Sequence, residues 1–334
     1  MTFAVRPVQD GEWDAVGRVY TLALPHDPFS GNDFRKRDAE QRGWGYTTAT
    51  LVALGEAGEV VGVASYYQNP GAYHPHRFTL EMGVHPERQG QGVGRSLWNV
   101  VEADLTRHGA ESVRILARED HPVAPGFLTR RGFVGDKRYF TSSLDLTTFG
   151  DAPYRALEER LAARGVRVRS LAELRAAGTP DLTAHLHALM NDVRQDVPRS
   201  EPATPLSREV FEEAVLGDPG LLPEAYLVAE HDGRWIGQTT LFRSEASPDL
   251  LTGLTGVTRE WRAQGVATLL KVHAIRAGRA LGGTLIRTDN ASDNAPMLAV
   301  NDRLGFVRDP ASVSYVRRFR DEVNGLAQVP VGSS

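Results

Sequence analysis

The chain has 334 residues, a formal net charge of −4, 41% hydrophobic and 24% charged residues, which is the profile of a globular protein of about two domains. It contains no cysteine, so disulfides, thiolate metal sites and a cysteine-linked acyl intermediate are excluded. The weak negative charge gives no general attraction to nucleic acid or to an anionic membrane.

The N-terminal stretch Met-Thr-Phe-Ala-Val-Arg-Pro lacks a basic region followed by an apolar core, and no run approaches the ~20 apolar residues of a membrane span, so a cytoplasmic location is expected. Phe3 to Val8 reads as an opening strand, followed by a helix with Trp13, Val16, Val19 and Tyr20 at helical spacing. A turn-rich acidic loop, Leu24 to Asp33, leads to a charged helix around Phe34 to Arg42. Thr50 to Leu54 and Val60 to Tyr66 flank Gly55-Glu-Ala-Gly58 as a β-hairpin, and Phe78 to Val84 is a third apolar run.

After that run comes His85-Pro-Glu-Arg-Gln-Gly-Gln-Gly-Val-Gly94, then a helix with Leu97, Val100, Val101 and Leu105 on one face. Ser112 to Ala117 is the next strand, His121 to Arg131 a short helix interrupted by Pro122 and Pro125, and Phe133 to Leu146 carries closing strands. Residues 1–150 form a first domain, 151–165 a helix crossing between domains, 166–327 a second domain, and 328–334 a disordered tail. In the second, Val166 to Arg169 opens the plan. Helices near Thr179 to Val193 and Leu206 to Leu216 flank the loop Asp192 to Pro205. A hairpin joins Ala225 to Ala229 with Trp235 to Phe242, and Leu250 to Val257 enters a second glycine segment.

The two glycine segments keep a constant offset of 173 residues, from Val84 to Val257, Gln89 to Arg262, Gly92 to Gly265 and Gly132 to Gly305. An internal duplication of a supersecondary unit follows, each copy mixing a hairpin-bearing sheet with helices on its faces, an α/β or α+β arrangement.

A strand that turns through glycines straight into a helix presents unpaired backbone N–H groups at the positive end of the helix dipole, which is a diphosphate cradle. A dinucleotide fingerprint would need glycine where Arg95 stands, and no Gly-Lys-Ser/Thr follows for a triphosphate loop. What fits is Gln/Arg-x-x-Gly-x-Gly/Ala, as Gln89-x-x-Gly92-x-Gly94 and Arg262-x-x-Gly265-x-Ala267.

Together with Val84-x-Pro-Glu-Arg88, the following helix and a closing Gly-Phe, these residues resemble the acyl-CoA-binding motif of the GNAT superfamily of N-acyltransferases, and the pair is similar in organisation to mycothiol synthase-like tandem proteins. The resemblance implies two tandem acyl-CoA N-acyltransferase folds, each a mostly antiparallel sheet with helices on both faces. It implies acetyl-CoA as co-substrate, no metal, and direct transfer to a primary amine of a small molecule. The diphosphate would lie on the amides of 89 to 95 and 262 to 268, at Val84, Gln89, Gly90, Gly92, Val93, Gly94 and Arg95, and at Val257, Arg262, Ala263, Gly265, Val266 and Ala267. The pantetheine arm would run along the strand ending at Val84 or Val257, with Asn294 and Asn301 meeting it in the second copy.

For catalysis, Glu81 is either the general base or a carboxylate paired with a neighbour such as Arg77 or Arg88. His74, His76 and His85 flank the same strand as proton relays or surface histidines, and His185 and His187 diverge on their helix. The tyrosine that the family often places four residues before the closing glycine is Leu128 in one copy and Asn301 in the other, which leaves Tyr139 and Tyr315 as substitutes. Asp27, Asp33, Asp192 and Asp196 are either acceptor-attracting groups or solvated loop charges and caps. A CoA-binding sensor with silent sites, or an enzyme acting on protein N-termini or lysines, are the competing readings. The partners expected are a small-molecule amine, no nucleic acid and no membrane, with the chain a monomer or homodimer.

Overall fold

The computed structural model describes residues 3–319. The first half of the chain runs β1 (Ala4–Pro7), α1 (Trp13–Ala23), α2 (Gly31–Gly43), β2 (Thr48–Leu54), β3 (Val60–Tyr67), β4 (Arg77–Val84), α3 (Val93–Arg107), β5 (Ser112–Arg118), α4 (Ala124–Thr129) and β6 (Val134–Asp145). The second half runs α5 (Arg155–Ala163), β7 (Arg167–Ser170), α6 (Leu171–Ala176), α7 (Leu182–Arg194), α8 (Arg208–Phe211), β8 (Leu227–His231), β9 (Arg234–Thr239), β10 (Leu241–Arg243), β11 (Leu250–Thr252), β12 (Gly256–Val257), α9 (Val266–Ala280), β13 (Leu285–Ala291), α10 (Ala295–Leu304), β14 (Val307–Arg308) and β15 (Ser312–Arg318). Among the described residues no helix is long and apolar enough to cross a membrane.

The chain forms two compact units that do not coincide with the two sequence repeats. One takes in the described residues up to Asp136 and those from Val313 on; the other is Lys137–Ser312. The repeats have exchanged their closing strands. β15, from the end of the second repeat, lies beside β5 in the first unit, and most of β6, from the end of the first repeat, lies beside β13 in the second. The domain division expected near residues 150 and 166 therefore differs from the spatial one, and α5, expected to cross between domains, belongs to the second unit. There Leu161 is fully buried and Arg276 of α9 bonds Asp151 and Glu158. The tail expected at 328–334 lies outside the described residues.

In the first unit the sheet order is β1-β2-β3-β4-β5-β15, with β1 to β4 antiparallel and the β4–β5 pair parallel. α3 covers one face because Val93, Leu97, Val101 and Leu105 recur every four residues and pack on Leu51, Leu80 and Val113, each large side chain contributing about 1.5–3 kcal/mol. α1 and α2 cover the other through Val16, Val19, Tyr20 and Phe34. The two helices cross where a Cβ on Gly17 would lie 2.2 Å from the Gly31 nitrogen, a closeness that only two glycines permit.

The second unit holds β12-β9-β8-β7 as one sheet, with α9 against one face and α6, α7 and α8 against the other, and a separate run β6-β13-β11-β10 with β14 beside β6. The apolar run 250–257, expected as one strand like its counterpart 77–84, is broken. β11 pairs with β13, and β12 pairs with β9 in the other sheet. The break falls at Gly253, whose Cβ would meet Thr240 Oγ1 at 2.2 Å, and the facing strand breaks at the same level between β9 and β10. The helix expected over 206–216 is one α-turn, α8, that widens into a π-helical turn at Glu212–Leu216.

Candidate functional site

The two cradles are built alike. Gly92 (φ 100°) and Gly265 (φ 94°) stand in the left-handed region as N-caps of the 15-residue helices α3 and α9, and Gly90 (φ 75°) and Ala263 (φ 58°) do so two residues earlier. The alternation bends the chain so that the first-turn amides, which have no carbonyl one turn back, face outward together. Neither motif side chain that begins the segment reaches into the cradle. Gln89 Nε2 donates to the Val84 carbonyl at 3.2 Å and Arg262 Nε to the Val257 carbonyl at 3.0 Å, each tying the turn to the end of its strand. The third small residue packs: a Cβ on Gly94 would meet the Phe127 ring of α4 at 3.2 Å. Arg95, Val93, Val266 and Ala267 sit in the first turns of the two helices.

Beside each cradle the sheet opens. Parallel pairing of β4 with β5 ends at Leu80↔Ile115, leaving Glu81 to Val84 and Leu116 to Arg118 without a ladder between them. In the second unit pairing of β11 with β13 ends at Leu251↔Arg287, and the chain then leaves for the other sheet before reaching Val257. Each opening exposes a strand edge whose amides and carbonyls suit an extended arm carrying amide groups.

In the first opening Glu81 faces α2, not α3, because residues 79, 81 and 83 share one side of β4 and a Cβ on Gly83 would touch Tyr20 and Ala23 of α1. It is ion-paired, with Arg37 rather than Arg77 or Arg88. Arg37 Nη1 and Nη2 donate to the two oxygens at 2.7 and 2.6 Å, and the Tyr67 hydroxyl donates to Oε1 at 3.1 Å. Arg77 lies four strand residues away, roughly 13 Å along β4, and turns to Glu111, while Arg88 pairs with Glu59. The Arg37 guanidinium lies 4.2 Å from the centroid of Tyr67, 4.9 Å from that of Phe29 and 5.1 Å from that of Phe34. Burial opposes its charge, but Glu81 holds its pKa above the ordinary arginine value, and burial together with Glu81 pushes the Tyr67 hydroxyl upward. His74 and His76 stand before β4 begins, His74 within 3.9 Å of Glu111, and His85 caps the turn after it by accepting from the Glu87 amide. None of the three bonds to Glu81. A furrow of about 530 Å³ between α1, the β2–β3 turn and His85–Arg88 is lined by Glu12, paired with Arg6, by Glu59 and Arg88, paired with each other, and by Arg18 and Glu87.

In the second unit Asn301 is 1% exposed. Its Nδ2 donates to Asn290 Oδ1 at 2.7 Å, and its own Oδ1 is buried with no partner. Its amide nitrogen is thus tied to Asn290 of β13. Asn294 is the N-cap of α10 without a side-chain cap bond. Tyr315 belongs to the first unit, half-buried against its core, while the Tyr139 hydroxyl shares a hydrogen bond with Ser200 at 3.2 Å. Of the four loop aspartates, Asp33 closes the capping box of α2 with Ser30, and Asp196 is gripped by Arg259 and Arg262, which hold it far below the usual carboxylate range. His185 packs on Trp235 and His187 bonds to Asn191 and the Leu206 carbonyl, so they diverge. Among the described residues no three His, Cys, Asp or Glu side chains gather as metal ligands.

Three further groups stand out that the sequence pattern did not single out: Arg37, Lys271 and Asp289. Lys271 interrupts the apolar stripe of α9 where the first copy has Trp98; it is 3% exposed, its Nζ 5.0 Å from the Phe306 centroid, and burial pushes its pKa down to about 7.

The sequence profile of the acetyltransferase (GNAT) family matches residues 18–133 and 186–306. Among solved structures, a tandem GNAT protein from the clavulanic acid biosynthesis pathway is 20% identical with TM-score 0.69, covering 95% of this chain and 98% of that one. A GCN5-related N-acetyltransferase from Sphaerobacter thermophilus is 16% identical with TM-score 0.67 over 95% of both chains. A putative acetyltransferase from Pyrococcus horikoshii is 12% identical with TM-score 0.56, covering 96% and 91%.

Proposed function

Since the chain belongs to the acetyltransferase (GNAT) family and is an N-acetyltransferase of tandem organisation, we propose that it moves the acetyl group of acetyl-CoA directly to a primary amine of a small molecule. The observation that carries this reading is the coincidence, twice, of an outward-facing cradle at a helix N-terminus with an opened parallel strand pair beside it. The cradle fits a diphosphate on two grounds. Open space surrounds Gly90, while at Gly265 the Leu157 side chain of α5 would lie 2.6 Å from an added Cβ, so only glycine fits there; the motif side chains Gln89 and Arg262 are turned away to strand carbonyls, which leaves backbone amides as the anion donors. Amides of 89 to 95 and 262 to 268 would hold the diphosphate, with Val84 and Val257 at the start of each opening. Bound acetyl-CoA supplies the activated acyl group, and the chain's own residues hold it, exclude water and take up a proton. No cysteine is available to carry the acetyl group, which supports direct transfer.

Calorimetry with acetyl-CoA on the full chain tests this directly. Binding at one or two sites is expected. Gly92→Glu and Gly265→Glu, each setting a carboxylate and a strained left-handed residue in one cradle, should weaken their own site by on the order of 100-fold, about 2.7 kcal/mol. No heat of binding to the unmodified protein would overturn the reading. Release of free thiol from acetyl-CoA across a panel of aliphatic amines, amino sugars and amino acids then separates an enzyme from a sensor that binds without turnover.

A further inference from the structure

Asp289 occupies the place in the second opening that Leu116 occupies in the first. Strand alternation sets Ile286 and Thr288 into the packing beneath α9, so Arg287 and Asp289 project to the opposite face of β13. Pairing with β11 has stopped two residues earlier, at Arg287, so Asp289 stands beside the exposed strand edge. On its other side β6 remains paired through this level, Asp289↔Thr141 and Ala291↔Tyr139, and the Thr141 hydroxyl donates to Asp289 Oδ1 at 2.5 Å.

The same face is roofed by the loop after α7. The Ser200 amide and hydroxyl meet the Tyr139 hydroxyl at 3.2 Å, and Lys137 Nζ reaches the Arg199 carbonyl at 3.4 Å and Asp293 at 2.7 Å. The loop is fastened at its base, where Arg194 bonds the Thr204 carbonyl and Asn191 and His187 bond the Leu206 carbonyl. A carboxylate that keeps an exposed side chain thus sits between an open strand edge and an anchored loop. The first unit offers no such group. At the matching position Leu116 is 55% exposed, and Glu81 has both oxygens taken by Arg37 and Tyr67.

We infer that Asp289 is the general base of the second unit, taking the proton from the acceptor ammonium on the face shared by β6, β13 and the loop 195–205. The inference rests on the acetyl-transfer reading above. Asp289 removes one ammonium proton; the freed nitrogen lone pair forms the C–N bond at the acetyl carbonyl carbon. The C–S bond then breaks, and the departing thiolate takes the second proton shed by the nitrogen, leaving amide and free CoA. The surroundings suit the task, since the atoms packed around the carboxyl raise Asp289 above the ordinary aspartate range even though the residue keeps solvent contact, with Asp309 adding to the rise and Thr141 and Arg287 opposing it. The other charges nearby are the Lys137–Asp293 pair and, on the roofing loop, Asp196, paired with Arg259 and Arg262, Arg199, which donates to the Arg194 carbonyl, and Glu201.

The test compares unmodified full-length protein with Asp289→Asn and Asp289→Glu. Acetyl-CoA affinity is read by calorimetry, and thiol release with the amine panel and with water as acceptor is read against pH. Asp289→Asn is expected to keep acetyl-CoA affinity within two-fold, lower kcat by roughly 100- to 10,000-fold and abolish the acid limb of the pH profile, while Asp289→Glu restores most of the rate. Binding with undiminished turnover in Asp289→Asn overturns this inference alone. Absence of acetyl-CoA binding, or of any thiol release, by the unmodified protein overturns the acetyl-transfer reading and this inference with it.

Discussion

Arg37 and Glu81 illustrate what a charge pair at the edge of a core requires. With side chains 17% and 22% exposed, each would be left without its counter-ion if the other were removed. Arg37→Met should therefore lower the stability of the first unit by about 2 kcal/mol in a denaturant melt, and Arg37→Met with Glu81→Met should cost less than the sum of the single changes. Lys271 makes a different prediction. Its folded pKa, about 7, lies below the free value of 10.5, so between these values the unfolded chain binds the extra proton and stability rises with pH. Below pH 7 both states are protonated and the slope from this group vanishes. A thermal melt at pH 9.5 should exceed one at pH 7, and Lys271→Met, nearly equal in volume, should flatten that dependence. Glu81 was legible as a site residue because a carboxylate interrupts an apolar strand. Its partner was not, since one cation among the charges of α2 carries no pattern. Asp289 lay hidden for a related reason: in Thr288-Asp-Asn-Ala-Ser-Asp-Asn294 every acidic residue looks like a turn former.

At the level of elements, the glycine turns were the most readable feature, because the backbone conformation they need restricts residue choice to glycine and little else. Where the second copy has Ala263 at φ 58°, the conformation costs energy that glycine would not. Ala263→Gly should raise stability by roughly 0.5–1 kcal/mol in a thermal melt while keeping acetyl-CoA affinity. The split of 250–257 into β11 and β12 was less readable. An apolar run shows that a segment is buried, whereas its change of sheet depends on Thr240 and Val193 crowding the glycines at 253 and 256, contacts between residues far apart in sequence. The same limit applies to Asn301. Its place four residues before the closing glycine was plain, but its turn toward Asn290 depends on packing against β13.

For the molecule as a whole, the constant offset of 173 residues announced two copies of one fold, and the β4, α3 and β5 boundaries recur at that offset in the second half. It did not announce which closing strand serves which unit. Residues 134–145 and 307–318 occupy equivalent places in the two repeats, so nothing local in either strand distinguishes its own sheet from the other. The exchange predicts that a fragment ending at residue 150 fails to give a cooperative melt, since β5 lacks its neighbour β15. A fragment spanning 137–312 should melt cooperatively by itself, and a melt in the shorter N-terminal piece would count against the exchange.

Because β15 is contributed from beyond residue 311, the first unit cannot close until residues 312–318 have been made. A nascent polypeptide emerging from the ribosome would display the β5 margin bare until β15 follows nearly 200 residues later, and the unit 137–312 would be complete first. Birth order and folding order of the two units run in opposite directions here, which gives the earlier-made unit the longer wait and makes it the natural client of holding chaperones.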